Sequence, residues 1–322
     1  MSGGTSLTGR LLHPGGLRVP AQPPPPPQPL LVVPQVVAHR GASFDEPEHT
    51  LAAYQRAIEA GADAVECDIR MTADGHLVCV HDRRIDRTSN ATGSVSSLEL
   101  AQLEGLDWAS WKLAQGQGDA VEMPDRDRSR LLTLRRLLSV VADADRPVEV
   151  AIETKHPTRH AGHVERQLVE LLDYFGWRTP QGRLWSRVRV MSFSSTALRR
   201  LRRLAPRLPL VLLMHQAPVR LRTREGRLPP SVAAAGISVS MLQRDPWYVE
   251  RLHEAGHDVH VWTVDEPDDV NRCLAAGVEA IITNRPDAVL EQLRRLRQPG
   301  GAGGDGPPTQ HGGDDPPGPH RG

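Results

Sequence analysis

The chain has 322 residues, and its 39 lysines and arginines balance 39 aspartates and glutamates, so the formal net charge at pH 7 is zero. This balance gives no electrostatic basis for binding nucleic acid. The three cysteines have neither the even number of a disulfide framework nor the close spacing of a zinc site, which suits a reducing compartment.

The two ends of the chain differ in composition from its middle. Residues 21–29 read AQPPPPPQP, and residues 298–322 are rich in glycine and proline. We predict a disordered tail over 1–33, one folded domain over 34–297 and a disordered tail over 298–322. The N-terminal region lacks the apolar stretch of a signal peptide, and LPLVLLM at 208–214 is too short to span a bilayer. We therefore expect a cytoplasmic protein without stable membrane insertion.

Short apolar runs rich in β-branched residues alternate along the chain with helical patterns, which indicates parallel βαβ units. The candidate strands are VVAH (36–39), DAVECDI (63–69), LVCVH (77–81), VEVAIE (148–153), RVRVMS (187–192), PLVLL (209–213), GISVSM (236–241), DVHVWTV (258–264) and AIIT (280–283).

The third of these runs does not fit a parallel sheet. Only about eight residues join Asp68 to Leu77, whereas a parallel crossover takes about a dozen or more. The segment TADGH at 72–76 carries an Asp-Gly turn signal. Residues 77–81 are therefore predicted to be the return arm of a β-hairpin.

Folding the hairpin about Ala73 and Asp74 is predicted to place His81 opposite Glu66. Without this arm, eight strands remain, each followed by a helix or a long insertion. The fold class predicted is α/β, a (β/α)8 TIM barrel with a β-hairpin and a long insertion, residues 83–130, after strand 2.

In such barrels the chemistry lies at the carboxyl ends of the strands. Ionisable and polar residues recur at these ends: His39 and Arg40 after strand one, Glu66 and Asp68 on strand two, Glu153 and Lys155 on strand three, and Ser192, Trp262 and Asn284 on later strands.

Glu66, Asp68 and Glu153 converge from different strands. Three carboxylates make a site of hard oxygen ligands, which suits Mg²⁺ or Ca²⁺ rather than zinc. Two histidines beside such a metal, His39 and His81, together with nearby cations, have the chemistry needed for phosphodiester cleavage.

Several short segments occur in a specific order along the chain: AHRG, PEHTLAAY, ECDIRMTADGHLVCVHD, IETK, MSF, VWTV and IITNRP. With these segments, residues 36–295 resemble the glycerophosphodiester phosphodiesterases, which are relatives of the phosphatidylinositol-specific phospholipases C. The resemblance implies that His39 and His81 are the acid/base pair. It also implies that Glu66, Asp68 and Glu153 hold a divalent metal, Mg²⁺ or Ca²⁺.

The resemblance further implies that Arg40 and Lys155 face the phosphate and that Glu48 supports the site after strand one. Two positions depart from the family pattern. His49 stands where asparagine is usual, which would alter local hydrogen bonding or metal geometry. Asn284 stands where aspartate is frequent, and a milder effect is expected there.

Other residues have alternative interpretations. Trp262 either stacks on the carbon skeleton of the substrate or fills the barrel mouth, and we favour its contact with the substrate. His156, His160 and His163 lack a further ligand of matching type and are interpreted as a solvated loop and helix start. The insertion at 83–130 has an amphipathic part and a loose part, and long loops over a barrel mouth often act as lids or specificity elements.

The activity implied is hydrolysis of small glycerophosphodiesters, such as deacylated phospholipid head groups, to sn-glycerol 3-phosphate and an alcohol, in lipid and glycerol metabolism. The glycerol 2-hydroxyl would attack phosphorus and give a cyclic phosphate that water then opens. Which histidine is the base stays open. The alternatives are a lysophospholipase D acting on substrates that keep one acyl chain, and a non-catalytic barrel that binds phosphodiesters.

Overall fold

The structure is a computed structural model that describes residues 33–114, 130–157, 162–179, 187–216, 225–230 and 232–297. Apart from Val33, both predicted tails lie outside the described residues, as do residues 115–129 of the insertion. Within these ranges, no helix combines the length and the apolar character that crossing a bilayer requires.

One nine-stranded sheet forms the centre of the fold. Its strands are β1 (Gln35–His39), β2 (Ala64–Met71), β3 (Leu77–Cys79), β4 (Glu149–Thr154), β5 (Val188–Ser192), β6 (Leu210–Met214), β7 (Ala234–Ser238), β8 (Asp258–Trp262) and β9 (Ala280–Thr283). All except β3 pair in parallel, and β9 pairs with β1 to close the sheet. The predicted (β/α)8 barrel is confirmed.

Helices cover the outside of the barrel, and the described ones are α1 (Leu51–Ala60), α2 (Leu100–Glu104), α3 (Ser110–Ala114), α4 (Leu134–Ala142), α5 (His163–Tyr174), α6 (Ser195–Leu204), α7 (Val239–Arg244), α8 (Trp247–Glu254), α9 (Pro267–Ala276) and α10 (Pro286–Arg297). Local sequence sets their ends. In α1, the Thr50 side chain accepts a hydrogen bond from Ala53 N, and Gly61 ends the helix at a φ of 98°.

The strands divide the core into two layers because their side chains alternate. Val65, Cys67 and Ile69 point outward into the main core, between the sheet and the helices. Val37, Ala64 and Met191 belong to a separate cluster in the barrel interior. The carboxylates of β2 alternate with its apolar residues and therefore face the barrel interior.

The hairpin is confirmed, but its predicted register is wrong by one residue. Cys79 pairs with Ile69 rather than with Asp68, and Val80 N donates to Asp68 O at 3.0 Å; β3 ends at Cys79, so His81 lies beyond the paired strand rather than opposite Glu66. The shift flips which residues share a face, as any one-residue slip does.

A three-residue turn causes the shift. Thr72 N donates to His76 O at 3.0 Å, which leaves Ala73, Asp74 and Gly75 as the loop. Gly75 has a φ of 88°, a left-handed conformation that glycine adopts without steric cost. The hairpin is therefore centred on Asp74, as in a type I turn closed by a left-handed residue.

Besides β3, which ends at Cys79, two further predicted strands end earlier than expected. The apolar run at 236–241 leaves the sheet after Ser238, because the Ser238 side chain accepts a hydrogen bond from Met241 N and caps α7. The run at 258–264 likewise ends as a strand at Trp262. In both places, apolar composition alone does not mark the boundary.

The insertion has a small core of its own after β3. Val78, Val80, Ile85, Leu103 and Trp108 are buried together there. Helix α3 fixes the insertion to the loop after β1 through one side chain: Lys112 Nζ donates to two backbone carbonyls of that loop, at 2.6 and 3.1 Å. The insertion is thus anchored beside the carboxyl ends of β1 and β2.

Candidate active site

A cavity of about 450 Å³ opens at the carboxyl ends of the strands. One wall carries ionisable side chains: His39, Arg40, Glu66, His81, Glu153 and Lys155. The other wall is largely apolar and aromatic: Met191, Phe193, Leu213, His215, Trp262, Thr263 and Ile282. The charged wall comes from β1, β2, β4 and the hairpin, and the apolar wall comes from β5, β6, β8 and β9.

The predicted carboxylates meet at the floor of the charged wall. Glu66, Asp68 and Glu153 are all buried, and each offers an oxygen that lies within 4.8 Å of those of the other two. The strand register brings them together, because Asp68 is aligned with Glu153 across the β2–β4 pair. The predicted convergence is therefore present.

Asp68 is surrounded by basic side chains. Lys155 Nζ lies 2.9 Å from its Oδ1, while Arg40 Nε and His49 Nε2 lie 3.1 and 3.0 Å from its Oδ2. Burial disfavours the ionised carboxylate, but Lys155, the His49 hydrogen bond and Arg40 outweigh it and hold the pKa of Asp68 well below its usual range.

Glu66 and Glu153 are less well compensated. Burial, reinforced by the charge of Asp68, raises the pKa of Glu66 well above its usual range and that of Glu153 to about 8. Glu153 contacts Lys155 Nζ at 2.8 Å, whereas Glu66 accepts a backbone hydrogen bond from Arg40 N at 3.0 Å. A cation bound here would stabilise the ionised forms of these buried carboxylates. Because all the candidate ligand atoms are oxygens, the site fits Mg²⁺ or Ca²⁺.

His39 ends β1 with one ring nitrogen already bonded. Its Nδ1 lies 2.7 Å from Asn284 Oδ1, and the Ser43 hydroxyl donates to His39 O at 2.7 Å. Burial, followed by the charge of Arg40, lowers the pKa of His39 to about 3. The imidazole is therefore neutral at physiological pH, with Nε2 left for the cavity.

Asn284 is held from behind by Asp265, a residue that the sequence analysis missed. Asn284 Nδ2 donates to Asp265 Oδ2 at 2.6 Å, and Asn284 N donates to Asp265 Oδ1 at 2.8 Å. Because residue 284 is asparagine rather than aspartate, an amide lies between His39 and the carboxylate of Asp265.

His81 follows the hairpin arm and has a carboxylate partner. Its Nδ1 lies 2.7 Å from Asp82 Oδ1. Burial is the main cause of a lowered pKa for His81, while the bond to Asp82 opposes that shift. The two histidines thus differ, because one is bonded to an amide and the other to a carboxylate.

Arg87 of the insertion links Asp82, the partner of His81, to Glu48, the partner of Arg40. Its guanidinium donates to Asp82 Oδ2 at 2.6 Å and to both Glu48 oxygens at 2.7 and 2.8 Å. Glu48 also pairs with Arg40 at 3.1 Å. Although burial disfavours its charge, the Arg87 hydrogen bond and Arg40 lower the pKa of Glu48 to about 2. Asp82 and Arg87 are further positions that sequence reasoning missed.

His49, the other departure, supports Asp68 directly. Its Nδ1 lies 2.8 Å from the Tyr54 hydroxyl and its Nε2 lies 3.0 Å from Asp68 Oδ2. The Tyr54 hydroxyl in turn donates to Glu66 O at 3.1 Å. His49 therefore takes part in the hydrogen bonding around the carboxylates.

Trp262 lines the cavity and also packs at the barrel mouth. Its Nε1 donates to Gly236 O at 3.1 Å, which fixes the indole against the neighbouring strand β7. The His215 ring stacks on it with a centroid distance of 5.4 Å, and Phe193 meets it edge-on at 5.6 Å. Ser192 is buried and donates to Thr154 O at 3.0 Å, away from the cavity lining.

The expectations for the histidine-rich segment and the insertion need correction. His156 is not solvated: its side chain is 12% exposed and lies 3.5 Å from buried Glu165. His163 begins α5 as expected, and His160 lies outside the described residues. None of the described insertion residues beyond Asp82 lines the cavity, so this part of the insertion supports the site rather than covering it.

The comparisons with known proteins agree with this geometry. The model of the glycerophosphoryl diester phosphodiesterase family matches residues 39–288. The probable glycerophosphodiester phosphodiesterase 1 of Mycobacterium tuberculosis is 47% identical over 257 residues, covering 79% of this chain and 90% of that protein. The glycerophosphodiester phosphodiesterase of Caldanaerobacter subterraneus is 32% identical, covering 81% and 98%.

A solved structure is similar over the whole barrel. The Oleispira antarctica phosphodiesterase, in complex with the product sn-glycerol-3-phosphate, is 25% identical with a TM-score of 0.68, covering 81% of this chain and 97% of that one. Because the family model matches most of the chain and the relatives match nearly end to end, the chain belongs to the glycerophosphoryl diester phosphodiesterase family of enzymes.

Proposed function

We propose that the protein is a metal-dependent phosphodiesterase that hydrolyses glycerophosphodiesters to sn-glycerol 3-phosphate and an alcohol. The observation that carries this proposal is the meeting of two histidines, two buried carboxylates and two cationic side chains on one cavity wall, with the buried Asp68 carboxylate beside Glu66 and Glu153. Family membership supports the reaction class, and the Oleispira antarctica relative, which binds sn-glycerol-3-phosphate, supports the product.

In this proposal, Glu66, Asp68 and Glu153 hold one divalent cation, Mg²⁺ or Ca²⁺. When bound, the cation supplies positive charge that stabilises the developing charge on the phosphate oxygens. Arg40 and Lys155 line the same wall and supply further positive charge to the phosphate. Glu48 keeps Arg40 in place through their 3.1 Å ion pair.

The partners of the two histidines suggest their roles. His39 is neutral and bonded through Nδ1 to an amide, so Nε2 is free to act as the base. His81 is bonded through Nδ1 to the carboxylate of Asp82, which opposes the lowering of its pKa by burial and favours the protonated ring more than the amide at His39 does, hence the acid. We therefore assign His39 as the base and His81 as the acid of the first step.

The reaction then proceeds in two steps in which each proton has a defined place. His39 takes the proton of the glycerol 2-hydroxyl, the oxygen bonds to phosphorus, the bond to the alcohol breaks, and His81 protonates the departing oxygen. In the second step His81 takes a proton from water, which adds to phosphorus, and His39 returns its proton to the glycerol oxygen as the cyclic phosphate opens.

The apolar wall faces the organic part of the substrate. Trp262 and Phe193 offer carbon surface opposite the ionisable groups, and Phe193 is 46% exposed. We propose that Trp262 packs against the carbon skeleton while the phosphate lies against the charged wall. We also place the reaction in cytoplasmic glycerophospholipid breakdown and glycerol metabolism, which the three buried free cysteines suit.

A substrate panel tests the proposal. Glycerophosphocholine, glycerophosphoethanolamine, glycerophosphoglycerol, glycerophosphoinositol and a lysophospholipid are each assayed with Mg²⁺, Ca²⁺ or chelator. Turnover of at least one deacylated diester, lost in chelator, is expected. Preference for the lysophospholipid indicates a lysophospholipase D, and binding without turnover of any substrate indicates a non-catalytic barrel.

A deoxy substrate tests the order of steps. A diester whose glycerol 2-hydroxyl is replaced by hydrogen is expected to bind without reacting, and phosphorus NMR of the normal substrate is expected to show a cyclic phosphate. Alanine at His39 or His81 is expected to lower kcat by about 10²–10⁴-fold. Cleavage of the deoxy compound at the normal rate would refute attack by the substrate hydroxyl.

A further inference from the structure

Three side chains form a continuous chain that leads from the loop after β8 to His39. Asp265 Oδ2 accepts from Asn284 Nδ2 at 2.6 Å, and Asn284 Oδ1 lies 2.7 Å from His39 Nδ1. His39 lines the cavity, whereas Asn284 and Asp265 do not. Asp265 is therefore connected to the cavity only through Asn284 and His39 in this chain of side chains.

Donor and acceptor rules fix the orientation of each member. A carboxylate only accepts hydrogen bonds, so the amide nitrogen of Asn284 must face Asp265 and its carbonyl oxygen must face His39. That oxygen is also an acceptor, so the hydrogen must lie on Nδ1 of the neutral His39 ring. The lone pair is then on Nε2, the nitrogen left for the cavity.

We propose that Asp265 is a positioning residue that acts through Asn284 to hold His39 as the Nδ1–H tautomer, with its Nε2 lone pair directed to the substrate. The carboxylate is itself fixed, because Oδ1 accepts from Thr283 Oγ1 at 3.0 Å and from Asn284 N at 2.8 Å. The proposal rests on the proposed function in treating His39 as the base.

The substitution Asp265→Asn is expected to reverse the donor and acceptor roles along the chain from residue 265 to His39. The backbone N–H of Asn284 still needs an acceptor, so the new amide keeps its oxygen there and turns its NH₂ toward the Asn284 side chain. The Asn284 amide then rotates, offers its oxygen to residue 265 and its NH₂ to His39 Nδ1. His39 is left with hydrogen on Nε2, where it cannot act as a base.

The activity test compares three variants with one control. Asp265→Asn is expected to lower kcat by about 10²–10⁴-fold with KM little changed, as expected for loss of the base. Asn284→Asp alone is expected to be impaired, because two carboxylates then face each other. The exchange Asp265→Asn with Asn284→Asp restores an acceptor at Nδ1 and a donor behind it, and is expected to recover most of kcat.

Asp268→Asn is the matched control, since it is the same chemical change at an exposed position three residues further on, in the first turn of α9. It is expected to retain wild-type kcat. Equal losses in the control and in Asp265→Asn would point to a general effect of charge and overturn the proposal.

Nitrogen-15 NMR of the histidine rings reads the tautomer without activity. The His39 signal, recognised by its loss in His39→Gln, is expected to report Nδ1–H in the wild type and in the exchange variant, and Nε2–H in Asp265→Asn. A retained Nδ1–H tautomer and normal kcat in Asp265→Asn overturn the proposal. If Asp265→Asn does not fold, the exchange variant decides instead. A folded exchange variant whose His39 has the Nε2–H tautomer overturns the proposal.

The two proposals fail in distinguishable ways. If the wild-type enzyme cleaves no glycerophosphodiester, the proposed function fails, while the NMR comparison still decides whether Asp265 sets the His39 tautomer. If the wild type is active and the tautomer is independent of residue 265, only the positioning role fails.

Discussion

Glu66 is the carboxylate of the site with the least compensation from the chain itself. Its polar contacts among the described residues include one backbone N–H, and burial raises its pKa well above the usual range. We predict that Glu66→Gln weakens binding of Mg²⁺ or Ca²⁺ by at least about tenfold, the lower end of the loss seen for residues that merely support metal ligands. Isothermal titration calorimetry measures this affinity.

Glu250→Gln on the exposed face of α8 is the control for this prediction, because it removes the same charge at an exposed residue that does not line the cavity. It is expected to bind metal as the wild type does. Unchanged affinity in Glu66→Gln would remove that residue from the ligand set.

His260 provides a prediction about pH and stability. It is buried in the barrel, its Nδ1 has no hydrogen-bond partner among the residues that the structure describes, and burial, followed by the charge of Arg189, holds its pKa well below the usual value. The unfolded chain takes up a proton here below about pH 6.5, whereas the folded chain does not. The stability present above that pH is therefore lost as pH falls.

When the pH falls from about 7.5 to about 5.5, His260 is expected to lower the free energy of unfolding of the wild type by about 1.4 kcal/mol. Urea unfolding at the two pH values measures the loss. His260→Gln is expected to show a loss smaller by that amount, because it cannot take up the proton in either state. Equal losses in both proteins would contradict the assignment.

The sequence was informative about residues on strands and less so about residues in loops. Alternation within AVECDI separates Glu66 and Asp68 from the outward Cys67, so the barrel rule alone brings the carboxylates together. Asp265 and Arg87 lie after strand ends, where the side chain's partner depends on how the loop turns. No periodic pattern in the sequence predicts their contacts.

Among the elements, the insertion after β3 contributes the bridge between Asp82 and Glu48. Arg87 makes three hydrogen bonds of 2.6 to 2.8 Å to these two carboxylates, although its side chain is 39% exposed. We predict that Arg87→Gln lowers kcat about tenfold or more, because His81 and Arg40 both lose support, while the melting temperature changes little. Steady-state kinetics and thermal melts measure the two effects.

Arg84→Gln is the matched control three residues earlier. Arg84 is 59% exposed and pairs with Asp86 at 2.9 Å, away from the cavity wall. It is expected to leave kcat unchanged. A similar fall in both variants would show that the insertion responds to loss of any arginine rather than to loss of the bridge.

The hairpin shows how far element prediction reaches. The short connection and the Asp-Gly signal were enough to identify β3 as antiparallel. They were not enough for its register, because loops of two and three residues both place glycine near the turn and differ by one residue in pairing. The ends of β7 and β8 were likewise set by a serine cap and a loop, which apolar composition does not report.

At the scale of the whole molecule, composition predicts that the ends contribute little to the barrel. Deleting residues 1–30 and 299–322 is expected to leave the melting temperature and turnover nearly unchanged, since these sequences have few apolar residues to bury. Calorimetry and the substrate assay measure both quantities on the shortened chain. A large loss of stability would instead assign a packing role to one of the ends.

The two walls of the cavity come from different parts of the chain. The ionisable wall is built between His39 and Lys155, and the apolar wall between Met191 and Ile282. If the proposed roles hold, substitutions between residues 187 and 264 reshape the apolar wall while Glu66, Asp68, Glu153, His39 and His81 keep their positions. For enzyme engineering, a chimera that takes residues 187–264 from a relative becomes a way to exchange substrate preference separately from rate of bond cleavage.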